Sequence, residues 1–194
     1  MARLALALAL VATLWGQVPA AQAADPYAVE AQPGLTLNAE RDAWLLSADF
    51  ELPLTGKLEE ALRRGVPLYF VLEFELIRPR WWWFDEHVAE RSVVYRLGYH
   101  ALTRQFRLSF EGLTRSFDSL AEAGTAMSAV REWRVVDAAR ISEGTEYEAQ
   151  VRLRLDTAQL PKPFQINAIT DRDWNPQSEW KRFTFTPPTR KSAR

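Results

Sequence analysis

The stretch VPLYFVLEFEL, from Val66 to Leu76, decides the fold. Val66, Leu68, Phe70, Leu72, Phe74 and Leu76 fall on one side of an extended chain, with Glu73 and Glu75 on the other. Side chains alternate across a strand, so this spacing predicts a ribbon with one buried and one charged face. A helix would scatter the same residues around its axis.

Working outward, the same period recurs in Trp44/Leu46/Ala48/Phe50/Leu52, Val93/Tyr95/Leu97/Tyr99 and Phe106/Leu108/Phe110. It is cleanest where Tyr147, Ala149, Val151, Leu153 and Leu155 alternate with Glu148, Gln150, Arg152 and Arg154. Shorter strand candidates are 113–117, 133–141, 164–169 and 180–185. Two segments read as helices. In KLEEALRRG, Leu58, Ala61 and Leu62 share a face, Glu59–Arg63 and Glu60–Arg64 are spaced for ion pairs, and Gly65 supplies the stop. In 119–130, Ser119 and Glu122 have capping-box spacing ahead of a Leu120/Ala123/Met127/Val130 stripe. Gly124 interrupts that stripe, at a cost of about 1 kcal/mol relative to Ala. The fold class is mainly β: an antiparallel β-sandwich of about nine strands with two short helices.

The ends bound the domain. Arg3, an apolar run from Leu4 to Trp15, Pro19 and the Ala21-Gln22-Ala23 triplet have the layout of a secretory signal peptide cleaved after Ala23. The run is too short to span a bilayer comfortably; the alternative is its retention as an anchor. The expected organisation is a signal peptide at 1–23, a lead-in at 24–34, one sandwich domain at 35–187 and a disordered basic tail at 188–194. Removing 1–23 takes Arg3 alone among the charged residues and leaves 171 residues of net charge −2. That balance argues against nucleic acid, whose phosphates call for excess positive charge. The chain has no cysteine, so its core must hold it without disulfides, and 47% apolar residues suffice at this length. The expected location is the periplasm, with no transmembrane span after signal removal.

The order of VLEFELIRPRWWWFDE, VVYRLGYHALTRQFRL and DRDWNPQSEWKRFTF, behind such a signal peptide, resembles the proteobacterial domain-of-unknown-function family 4390. The resemblance covers essentially the whole mature chain. It implies no activity, cofactor or site residue, and only a genomic context: members are often encoded beside a sensor histidine kinase.

Familiar chemistry is hard to place. Two histidines, His87 and His100, no Cys and no Gly-x-Ser-x-Gly elbow leave nucleophilic catalysis without support. Glu73 and Glu75 would stand roughly 6–7 Å apart on one face, within the span of an inverting glycosidase pair. The simpler reading is a solvated sheet face with Arg96, Arg107, Arg152 and Arg154 as cross-strand partners. Asp171, Asp173 and Asn175 begin like a calcium loop, but Pro176 replaces its glycine and Arg182 its final Glu. A turn held by side chains bonding their own backbone explains them as well. All eight glycines are isolated, so there is no phosphate-cradling loop. No catalytic residue and no cofactor is expected.

What remains is RPRWWWFDEH, Arg78 to His87. Were the preceding strand to continue unbroken, it would bury Arg78 and Arg80, so a bulge or an edge is expected near Ile77–Pro79. Either way a strand cannot point three successive rings into one core, and at least one ring lies on a second face. A helix at 120–130 would cover that ring, or a partner would. The binding candidates are therefore Arg78, Arg80, Trp81, Trp82, Trp83 and Phe84, facing an envelope protein partner or a glycan. Membrane contact through basic residues has no support from net charge. The expected function is a non-enzymatic periplasmic interaction module. The alternative is a glycan- or calcium-handling envelope protein, with a hydrolase using Glu73 or Glu75 behind it.

Overall fold

A computed structural model describes residues 32–189 apart from Trp83. The expected signal peptide at 1–23, most of the expected lead-in and the residues from 190 lie outside the described residues. Two antiparallel sheets make the molecule. The smaller has the order β1 (Gly34–Leu37), β2 (Ala43–Asp49), β7 (Ala129–Asp137). The larger runs β6 (Leu113–Phe117), β5 (Gln105–Phe110), β4 (Glu86–His100), β3 (Leu68–Arg78), β8 (Tyr147–Leu155), β9 (Lys181–Phe185). Among the described residues, α1 (Gly56–Arg63) and α2 (Leu120–Ser128) connect the two sheets, and α3 (Lys162–Thr170) lies between β8 and β9 of the larger one.

The alternation of Leu68 to Leu76 is realised in β3. Leu68, Phe70, Leu72, Phe74 and Leu76 are completely buried, and each contributes about 1.5–3 kcal/mol of transfer free energy. They meet the smaller sheet face to face. Phe74 packs edge-on against Trp133 of β7 at 6.4 Å, and Trp44 of β2 against Phe185 of β9 at 4.7 Å. One side of the sandwich is closed by α2, which carries the chain from the larger sheet to the smaller. Its Ser119 hydroxyl accepts from the Glu122 N–H at 3.1 Å, as the capping spacing predicts. Gly124 has a packing reason: a Cβ there would come within 2.7 Å of the Leu54 Cδ1, so the missing side chain lets Leu54 lie against the helix.

Two sequence expectations need correction. The segment 164–169 is helical, within α3, and not a strand. Pro161 and Pro163 fit the first turn of a helix, where no N–H partner is required, and Phe164 and Ala168, one turn apart, face inward. Phe164 stacks on Trp174 at 4.9 Å. The strand that takes its place in the count is β1, which the alternation did not single out; Gly34 falls at the end of the expected lead-in and its other three residues at the start of the expected domain. The bulge expected near Ile77–Pro79 is present at Ile77, but its extra residue is on β4, and β3 is not an edge. β3 is central, between β4 and β8. The register shift falls between Leu76 (opposite Ala89) and Ile77 (opposite His87), which leaves the extra residue, Val88, on β4.

Candidate functional site

β3 stops at Arg78 because Pro79 has no N–H to donate to a ladder. β4 begins at Glu86, which pairs with Arg78 across the hairpin. Residues 79–82, 84 and 85 therefore lie in a loop at the tip of the hairpin and not in a strand, so the parity argument does not apply to Trp81 and Trp82. Nor does α2 cover them. Trp81 is 89% exposed, Trp82 67% and Phe84 86%. Trp83 lies outside the described residues.

The root of this loop is tied by charge. The Arg78 and Arg80 guanidiniums both donate to the same Glu86 oxygen, Oε2. The Arg80 N–H donates to Asp85 Oδ1 at 3.2 Å, closing the loop upon itself. The hydrogen bond from Arg78 holds the Glu86 carboxyl below its ordinary range; partial desolvation opposes this and Arg80 reinforces it. Beyond the root, the Trp81 and Trp82 rings meet edge to face at 4.8 Å and 80°. The loop thus holds bulky rings in water above a braced base.

The other sequence candidates are engaged elsewhere. On the outer face of the larger sheet, Glu73 receives Arg152 at 2.7 Å and Arg154 at 2.5 Å. Desolvation raises its pKa, but the bonds from Arg154 and Arg152 outweigh it and hold the carboxyl below its usual value. Glu75 accepts from Gln150 at 2.6 Å, and Gln150 in turn accepts from Arg182 at 3.2 Å. Of the four predicted cation partners, Arg96 stands opposite Tyr69 and Arg107 opposite Gly98, away from both glutamates. A glycosidase acid needs a raised pKa, and Glu73 has the reverse.

Asp171 and Asp173 both bind the Lys57 ammonium, at 2.6 and 3.0 Å. Asp171 Oδ1 also accepts from the Asp173 N–H at 3.0 Å, which is the local turn bonding expected ahead of Pro176. Their charge is thus answered by a lysine that fastens α1 to the 172–174 turn. Among the described residues no three His, Cys, Asp or Glu side chains come together as a metal site. His100 sits at the end of β4 with its Nδ1 3.0 Å from Thr103 Oγ1.

Two features were not read from the sequence. The Arg152 guanidinium lies 4.3 Å from the centre of the Trp180 ring, so the outer face carries a cation stacked on an aromatic beside Glu73. The alternation in β8 points Arg152 outward, but nothing in the sequence sets Trp180 beside it. A groove of about 820 Å³ also opens between the edge strands β1 and β9, lined by Leu35, Leu37, Trp44, Phe183 and Phe185. Short edge strands leave such openings, and β1 is too short to announce itself by alternation.

The family model described as Domain of unknown function (DUF4390) matches residues 34–184, which take in both sheets and the hairpin tip. No curated protein and no solved structure matches the chain.

Proposed function

The chain belongs to the DUF4390 family, and from that premise and the geometry of the hairpin we propose that it is an exported, non-enzymatic interaction module of the bacterial envelope. The residues assigned to contact are Trp81, Trp82 and Phe84, with Arg78, Arg80 and Glu86 bracing the loop that presents them. One observation carries this reading: large rings stand in solvent at a loop whose base is cross-braced, while the sandwich core is complete without them. Solvent-exposed aromatics are costly to maintain unless something covers them, and aromatic anchors dominate binding surfaces. Of the carboxylates that could have argued for catalysis or calcium, Glu73 is tied to arginines, Glu75 to Gln150, and Asp171 and Asp173 to Lys57. The signal-peptide layout of residues 1–23 supports the periplasm as the compartment.

Trp82→Ala tests the proposal. Capture of an envelope component by chemical crosslinking in cells should fall while the melting temperature stays nearly unchanged. Loss of folding would instead make the ring part of the core and remove the main support for this reading.

A further inference from the structure

We propose that the hairpin tip seats its rings in the headgroup layer of a phospholipid bilayer, an inference that rests on the reading of the tip as the contact site. Shape is the first reason. β3 stays paired with β8 as far as Ile77, one residue from its end, and β4 has no β5 neighbour before Arg96, so the loop projects beyond the last rungs at a corner of the sheet that is open on its β5 side. Three aromatic rings cover roughly 450–750 Å² in all, at about 150–250 Å² each. A standard protein interface uses about 800 Å² per partner on a broad complementary patch. A bilayer needs no matching pocket, and a projecting loop enters it more readily than a flat face does.

Chemistry is the second reason. Tryptophan concentrates at membrane–water interfaces because its ring is apolar and its indole N–H bonds in the headgroup region. Trp81, Trp82 and Phe84, on one short loop, match that layer.

Charge settles the mode of binding. Arg78 and Arg80 are balanced by Asp85 and Glu86, and both guanidiniums are held on Glu86 at the root. The tip is therefore neutral and does not rely on anionic lipid, so the net charge of the chain is no obstacle. Attraction comes from the rings, and salt leaves it intact, whereas adhesion through basic residues is screened within a Debye length of about 10 Å at 0.1 M salt. The braced root lowers the ordering cost of insertion.

The test uses protein recovered from cells that express the full chain. It is sedimented with vesicles of phosphatidylcholine alone, and with vesicles of phosphatidylethanolamine and phosphatidylglycerol. Binding to both is expected, changing less than about twofold between low and high salt. Trp81→Ala and Phe84→Ala should each weaken it about tenfold with melting temperatures unchanged. Brominated phospholipids should quench part of the wild-type tryptophan fluorescence, a readout that does not depend on any variant folding. Binding only to anionic vesicles at low salt, or binding indifferent to the rings, would overturn the proposal in favour of surface charge. Absence of vesicle binding, with Trp82-dependent crosslinking to a protein preserved, would sink the lipid assignment and leave the interaction reading standing. Failure of both would end the two together.

Discussion

Glu73 and Trp81 belong to the same hairpin, yet their surroundings differ in kind. Around Glu73 every strong group is answered from within: Arg152 and Arg154 share its carboxylate, and Arg152 stacks on Trp180. Around Trp81 the internal bonds stop at the root, where Arg78, Arg80 and Glu86 hold one another, and the rings beyond stand in water. A region whose groups satisfy each other is built for the fold. A region that uses its polar groups for bracing and exposes its large rings is the one the proposed function assigns to contact. This contrast separates the charged sheet face, where a pair of carboxylates suggested catalysis, from the aromatic tip, where contact is the better reading.

The contrast breaks most visibly in the core that both regions share. Phe74→Ala should cost about 3–5 kcal/mol, because a completely buried ring leaves a cavity between the sheets; urea unfolding measures it. Glu73→Gln should cost less, about 1–2 kcal/mol, since its partners are partly exposed and screened. It also has a pH signature. The folded carboxyl titrates below its ordinary value of 4.5, so its contribution is complete above that pH and is lost as the pH falls through the lowered value. The acid-side decline in melting temperature should therefore be shallower in the Gln variant, and an identical profile would count against the Arg152–Glu73–Arg154 network. Glu86 follows the same sign with a local readout. Acidification through the lowered value should loosen the loop, seen as a smaller protection factor at the Arg80 amide once the slower intrinsic exchange in acid is divided out, while Glu86→Gln should be loose at every pH. The smallest effect on stability belongs to the rings themselves. Trp81→Ala should change unfolding free energy by no more than about 0.5 kcal/mol, and a larger loss would place the ring in the core after all.

How far the sequence disclosed this depended on whether each side chain's role is local. Strict alternation in 68–76 and 147–155 announced β3 and β8, because a strand buried on one face must repeat every second residue. The Glu59–Arg63 and Glu60–Arg64 spacing announced α1, and both ion pairs form, at 2.8 and 2.5 Å. The alternation of Phe164, Ile166 and Ala168 misled, because Ile166 is 66% exposed and Ile169 84% exposed on α3, so the apolar residues there do not mark one buried stripe. At the tip the residues were legible and their placement was not. The parity argument assumed a continuing strand, whereas Pro79 ends it and the Arg78–Glu86 pair turns it. That pair joins positions whose proximity only the completed hairpin creates. The same holds for Lys57 with Asp171 and Asp173, far apart in the chain and joined by folding.

The central claim is that the tip is presented to the envelope and the charged sheet face is not. A photo-crosslinking residue placed at Trp81, or in a separate variant at Val94, tests it in intact cells; Val94 is 49% exposed on the outer face of β4. The account predicts adducts to an envelope component from position 81 and none above background from position 94. Equal labelling at the two positions, or none at 81 in a folded variant, would contradict it.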